Sequence, residues 1–229
     1  MITTYQPLEF IYVGDPMCSW CWGFAPVLQE LQTSFTIPIR VVAGGLRPGP
    51  SAEPLNDRMR ATLAHHWEQV AERSGQPFDH TFLQRNDGWV YDTELADTAV
   101  VTMRELDSEQ TLPFFVSLQR AFYAEGVDVT DPGVYPDLLD GYEVDRDQFM
   151  KLLTSAEMKE KTWGDFSEGR RLGVTGFPTL LLDEGDRIVA ASPGYVPAKA
   201  LIPAIRDWIL EQHTALAPGL VCDLAGGVC

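Results

Sequence analysis

Two cysteines three positions apart, Cys18 and Cys21, stand in the stretch GDPMCSWCWGFAP, where an apolar, β-forming run gives way to helical spacing. The run LEFIYVGD, Leu8 to Asp15, ends at Asp15-Pro16, where proline stops strand pairing and biases the residue before it toward extended geometry. Beyond Cys18, residues Trp22, Val27, Leu28, Leu31 and Phe35 recur at helical intervals, and IPIRVVAGGLRPG then reads as a second strand leaving through a glycine-rich turn. The order β, α, β is that of a parallel crossover unit. With Cys18 at the first turn of the helix, unpaired backbone N–H groups and the positive end of the helix dipole favour a thiolate there. Cys21 comes round to the same side of that turn and is placed to attack a mixed disulfide formed at Cys18. A bare pair at this spacing can equally be half of a zinc site, so its surroundings have to decide.

From about Ala52 to Leu172 the pattern turns helical, with Leu55, Met59, Leu63, Trp67 and Val70 along one expected face and Leu95, Ala99, Met103 and Leu106 along another. Strand signal returns in PTLLLD and RIVAASP, joined by EGD, and these two are expected to pair antiparallel. A final amphipathic helix is expected from about Pro197 to His213, with Leu201, Ile205, Trp208 and Ile209 inward and Pro203 disturbing its first turns.

A chain of 229 residues with 45% apolar content buries a core without staples or structural metals. Its 33 acidic against 17 basic residues, a net charge of −16, argue against a nucleic-acid surface, which draws on clustered Lys and Arg. The N-terminal residues show neither a basic segment nor a long apolar one, and no apolar run approaches the roughly 18 to 20 residues that span a bilayer, so a cytoplasmic protein with no membrane partner is expected. Four cysteines are too few for a disulfide scaffold. In a reducing compartment a pair spaced like Cys18 and Cys21 is catalytic or metal-binding more often than structural.

Two prolines narrow that choice. Pro26 sits inside the first helix, where it removes an intrahelical hydrogen bond, and Phe177-Pro178 opens a strand, a place suited to a cis peptide at the end of a loop. CSWCWGFAPVLQEL resembles the active-site helix of the thioredoxin superfamily, and LGVTGFPTLLL resembles its cis-proline loop and following strand. The long helical block between them, with DPMCSWCWGFAP and LQRAFYAEG, resembles the DsbA family of thiol–disulfide oxidoreductases, in its cytoplasmic FrnE-like branch. The resemblance covers nearly all of the chain. It implies an α/β, thioredoxin-like fold (βαβ plus ββα) built from residues 1–50 and 173–215, a large all-helical insertion at 51–172 and an irregular tail at 216–229.

By the same resemblance Cys18 is the attacking thiol, Cys21 the resolving one, and Pro178 faces them across a substrate groove where the Phe177 backbone pairs with an extended peptide. Trp20, between the cysteines, is expected to contact substrate. The implied partner is a disulfide or thiol in a protein or small molecule. No bound cofactor or metal is expected, glutathione is an optional co-substrate, and a homodimer is left open.

Three departures bear on mechanism. Ser19 and Trp20 replace the Pro-His pair of periplasmic DsbA, leaving redox direction open. Tyr12 stands where the family carries a buried Asp or Glu, so that proton acceptor is missing unless Asp15 or a nearby water replaces it. Phe177 is bulkier than the usual residue before the cis-proline. Cys222 and Cys229 could form a second redox pair or an inert tail dithiol. Two further classes compete: glutathione-dependent isomerases and transferases of the kappa and 2-hydroxychromene-2-carboxylate type, which usually have serine in place of Cys18 and lack the resolving cysteine; and a zinc-binding or chaperone-like module gathering all four cysteines.

Overall fold

The structure is a computed structural model, and it describes residues 8–212. Its central sheet has four strands. Strand β1 (Glu9–Gly14) is followed by helix α1 (Ser19–Ser34) and by β2 (Ile39–Ala43), which runs parallel to it with Phe10 opposite Ile39 and Gly14 opposite Ala43. On the other side of β1, β5 (Thr179–Asp183) pairs antiparallel with Tyr12 opposite Leu180, and β6 (Ile188–Ser192) pairs antiparallel with β5. Helix α8 (Ala198–Gln212) closes this half and runs through Pro203. The expected βαβ and ββα units are therefore joined along β1.

β1 reads as an unbroken apolar run because both of its faces are covered. Phe10 and Tyr12 enter the large core with Phe24, Leu28, Leu180 and Leu182, while Ile11 and Val13 pack with Val42 and Leu181 on the opposite face. Pro26, inside α1, cannot donate to the Trp22 carbonyl four residues earlier. That carbonyl instead accepts a hydrogen bond from Gln76 Nε2 at 3.1 Å, and the Trp22 indole N–H donates to the Pro77 carbonyl at 3.0 Å. A loop of the inserted block thus repairs the gap left by the proline.

That block holds β3 (Glu53–Pro54), α2 (Asp57–Ser74), β4 (Val90–Tyr91), α3 (Glu94–Leu106), α4 (Thr111–Ala124), α5 (Tyr135–Leu138), α6 (Arg146–Leu153) and α7 (Ala156–Arg171). Three of its helices start on side chains that accept orphan N–H groups: Asn56 caps α2 through Met59 N–H, Asp145 caps α6 through Gln148 N–H, and Ser155 caps α7 through Met158 N–H. Two expectations need correction. The insertion is not all-helical, because β3 and β4 form a two-residue antiparallel ladder that ties its entrance to the loop before α3. And α3 buries Ala96, Asp97, Val100 and Val101 as well as Ala99 and Met103, leaving Leu95 and Leu106 partly exposed. The helix is enclosed by α4, α6 and α7, so burial extends well beyond one stripe.

An ion pair fastens the insertion to the sheet edge. Arg104 of α3 forks onto Asp165 of α7 at 2.8 and 2.9 Å and also donates to the Val41 carbonyl, while Asp165 accepts the Ala43 N–H at 2.9 Å. Asp165 thereby satisfies backbone of edge strand β2. Asp165→Ala, which strands a half-buried guanidinium and an edge N–H together, is expected to cost about 3 kcal/mol in chemical denaturation; a loss under about 1 kcal/mol would mean that the pair behaves like an exposed one. No helix among the described residues is long and apolar enough to cross a membrane.

Candidate active site

β1 stops at Gly14, and the turn Asp15-Pro16-Met17 delivers Cys18 to the N-cap of α1 with extended backbone, φ −93° and ψ 115°. The Cys18 N–H donates to the Asp15 carbonyl at 3.0 Å, and the Cys18 carbonyl accepts the Trp22 N–H at 3.0 Å. Both thiols are free. Cys18 is 6% exposed at the edge of a groove, whereas Cys21 is 0% exposed behind it. The Phe177-Pro178 peptide is cis, and Cys18 Sγ lies 3.8 Å from the Phe177 carbonyl oxygen, in hydrogen-bonding orientation. The structure thus brings Cys18, Cys21 and the Phe177-Pro178 loop together from opposite ends of the chain. Gly44 makes room for the bulk of Phe177: a Cβ there would stand 2.7 Å from the phenyl ring.

Burial pushes the Cys21 thiol well up from its ordinary value, and its hydrogen bond to Cys18 and the charge there push it further; the Asp15 backbone N–H and the Tyr12 side chain act in the opposite sense. Tyr12, at the position expected to lack the family's carboxylate, is fully buried, and its hydroxyl has no conventional hydrogen-bond partner. Burial, then Cys21, raise its own pKa strongly. Asp15 is fully buried too: Oδ1 accepts the Met17 N–H at 2.7 Å and Oδ2 the Leu46 N–H at 2.6 Å, and burial raises its pKa despite those bonds. Beneath the turn the Tyr91 hydroxyl donates to the Met17 carbonyl.

The groove beside Cys18 has a volume of about 660 Å³ and runs from Phe177 and Trp20 past Leu46, Arg47 and Tyr91 to the Asn56–His66 face of α2. The Arg47 guanidinium lies 5.6 Å from the Tyr91 ring centre and pairs with Glu53 at 3.6 Å. Trp20 lines the groove but is not free: its ring packs 5.5 Å from Tyr195 with Arg73 5.1 Å over it, and the Tyr195 hydroxyl donates to the Arg73 carbonyl. The residue between the cysteines therefore also clamps the end of α2 to the loop after β6. Cys222 and Cys229 lie outside the described residues, among which no group of three or more His, Cys, Asp or Glu side chains is arranged to hold a metal.

Sequence reasoning missed Tyr91, Arg73, Tyr195 and Asp97. Asp97 carried one signal, an acid among small apolar residues in ELADTAVVTM, and it proves fully buried. The other three had none, because their roles arise from contacts across the insertion.

A family model described as DSBA-like thioredoxin domain matches residues 11–201. The ClpXP adapter protein SpxH of Bacillus subtilis (strain 168) is 25% identical over 226 residues, covering 95% of this chain and 73% of the relative. Among solved structures, a Nitrosomonas europaea protein provisionally assigned as a protein disulfide isomerase superposes with a TM-score of 0.81 at 33% identity, covering 91% of this chain and 100% of that one. The cytosolic disulfide reductase DsbM from Pseudomonas aeruginosa shares the fold at a TM-score of 0.71 and 23% identity, covering 91% and 98% of the two chains.

Proposed function

The chain belongs to the DSBA-like thioredoxin domain family, and from that premise we propose that it is a thiol–disulfide oxidoreductase working as a disulfide reductase. The observation that supports this best is the pairing of a groove-edge Cys18, 3.8 Å from the Phe177 carbonyl, with a fully buried Cys21 behind it. In this reading the Cys18 thiolate attacks one sulfur of a substrate disulfide; a new S–S bond forms and the other substrate sulfur leaves as a thiolate that takes up a proton. Cys21 then gives up its proton and attacks Cys18 Sγ. That step closes the Cys18–Cys21 disulfide, releases the second substrate thiol and completes the transfer of two electrons to the substrate. The backbone at Phe177, next to Pro178, would pair with an extended substrate segment, with Trp20 as one wall. The dithiol is the redox centre, so no bound cofactor is required, and glutathione would serve as a small thiol that returns the pair to its reduced form in the cytoplasm.

Charge supports the reductase direction. Ser19 and Trp20 carry none, so the reduced pair lacks the stabilisation that makes a strong oxidant. Equilibration of the Cys18–Cys21 couple against glutathione, alongside insulin reduction, tests this: a potential near about −270 mV with turnover is expected, and one above about −180 mV would reverse the direction. Glutathione-dependent isomerisation that survived loss of Cys21 would instead place the chain with the isomerase class.

The SpxH match over 95% of the chain favours a second reading, a module that presents a protein partner. A defined partner held equally well by protein lacking both thiols would support it, whereas binding that vanished with Cys18 would belong to the exchange reaction.

A further inference from the structure

We infer that Asp15 and Asp97 share one proton, carried on Asp97, and that this proton positions the turn holding both cysteines. Asp15 is the hub of that turn. Its carbonyl holds the Cys18 N–H, its Oδ1 the Met17 N–H and its Oδ2 the Leu46 N–H of the groove wall. The two N–H donors, one on each oxygen, favour Asp15 as the ionised partner of the pair. Asp97 reaches it from α3 in the insertion. Both side chains are 0% exposed, and the two carboxyls lie within hydrogen-bonding reach of each other.

Asp97 is only half satisfied. Its Oδ2 accepts the Thr93 hydroxyl at 3.3 Å, and Thr93 Oγ1 in turn accepts the Arg47 N–H at 3.2 Å, while Asp97 Oδ1 is buried without a partner. Two ionised carboxylates here would repel each other and leave that oxygen orphaned. A proton on Asp97 Oδ1, donated to Asp15, removes both problems. Burial first, then the charge of Asp15 and the hydrogen bond between the two, raise the pKa of Asp97 well above 3.8, in keeping with this assignment.

The titratable groups facing the pair come from every neighbouring element: the thiols of Cys18 and Cys21 from α1, and the phenols of Tyr12 from β1, Tyr91 from β4 and Tyr123 from α4. Tyr135 of α5 and Asp165 of α7 also face Asp97, the latter neutralised by Arg104, and Arg47 lies over Tyr91. Burial drives the phenols and Cys21 upward, so they stay neutral where the pair titrates.

Both carboxyls have folded-state pKa values above the ordinary 3.8, so at these two sites the native chain binds more protons than the unfolded one. The stability contributed by these two groups therefore falls as pH rises from about 4 through the folded value and levels off beyond it. The effect on rate rests on the oxidoreductase reading; the effect on stability does not.

The test compares the reduced full chain with Asp97→Asn and Asp97→Ala, following thermal midpoint and rate of model-disulfide reduction from about pH 5 to about pH 9. Asp97→Asn keeps the donor but cannot ionise. It is expected to hold the rate at about pH 6 within about twofold and to lose less thermal stability than the natural chain as pH rises. Asp97→Ala is expected to lose about tenfold in rate. Equal impairment of both variants with unchanged pH dependence would overturn the proposal. So, whether or not the variants fold, would an infrared titration of the natural chain that showed no protonated carboxyl above about pH 5.

Discussion

Cys18→Ser protein is expected to lose disulfide reduction to the uncatalysed background, a fall of about a thousandfold or more, because a serine hydroxyl stays protonated where a thiol yields a nucleophilic thiolate. Cys21→Ser is expected to fail differently, accumulating substrate as a mixed disulfide on Cys18 that shows as a mass adduct and disappears with added dithiol. The asymmetry comes from placement. Cys18, 6% exposed, opens on a groove of about 660 Å³ and touches the Phe177 carbonyl, whereas Cys21 is sealed behind it among Tyr12 and the Asp15 turn. Substrate therefore meets one sulfur and not the other. Adducts on Cys21 rather than Cys18, or reduction that survived loss of Cys18, would reverse the assignment of the two roles.

The parts of the site set by short-range rules are legible in the sequence. A strand must end at Asp15-Pro16, a helix resumes at Cys18, and Phe177-Pro178 opens the strand that pairs with β1. The contacts that tune the site cross the insertion and follow no local rule. Gln76 reaches the Trp22 carbonyl that Pro26 leaves unpaired, and Arg73 and Tyr195 lock Trp20 from two different elements. Asp97 lay off the face expected for α3 because that face was drawn from Leu95, Ala99, Met103 and Leu106, as though the helix had one buried side. Enclosed by three other helices, α3 instead turns an acid toward the dithiol turn. The Tyr12 position illustrates the same limit. The sequence shows that the carboxylate is missing there, and only the folded chain shows two carboxyls converging from β1's exit and the insertion.

Resolution of the mixed disulfide is expected to quicken about tenfold per pH unit, so about a hundredfold between about pH 6 and about pH 8, when adduct decay is followed by rapid mixing. The resolving nucleophile is the Cys21 thiolate, and the folded protein pushes that thiol well above its ordinary value of 9.0. Below the pKa, the thiolate fraction rises tenfold for each unit of pH. Burial is the first cause of the shift and persists when Cys18 is tied up in a mixed disulfide, whereas the hydrogen bond and charge of the Cys18 thiolate are then gone. The slope should therefore be shallower only where the pKa is approached from below. Tyr12 gives an internal control, because its side chain draws the Cys21 value back down. Tyr12→Phe is expected to slow resolution severalfold at neutral pH while leaving formation of the adduct at Cys18 unchanged. A decay rate that was flat across this range would mean that Cys21 loses its proton before the rate-limiting step, and a Tyr12→Phe chain that resolved as fast as the natural one would remove the phenol from that proton's path.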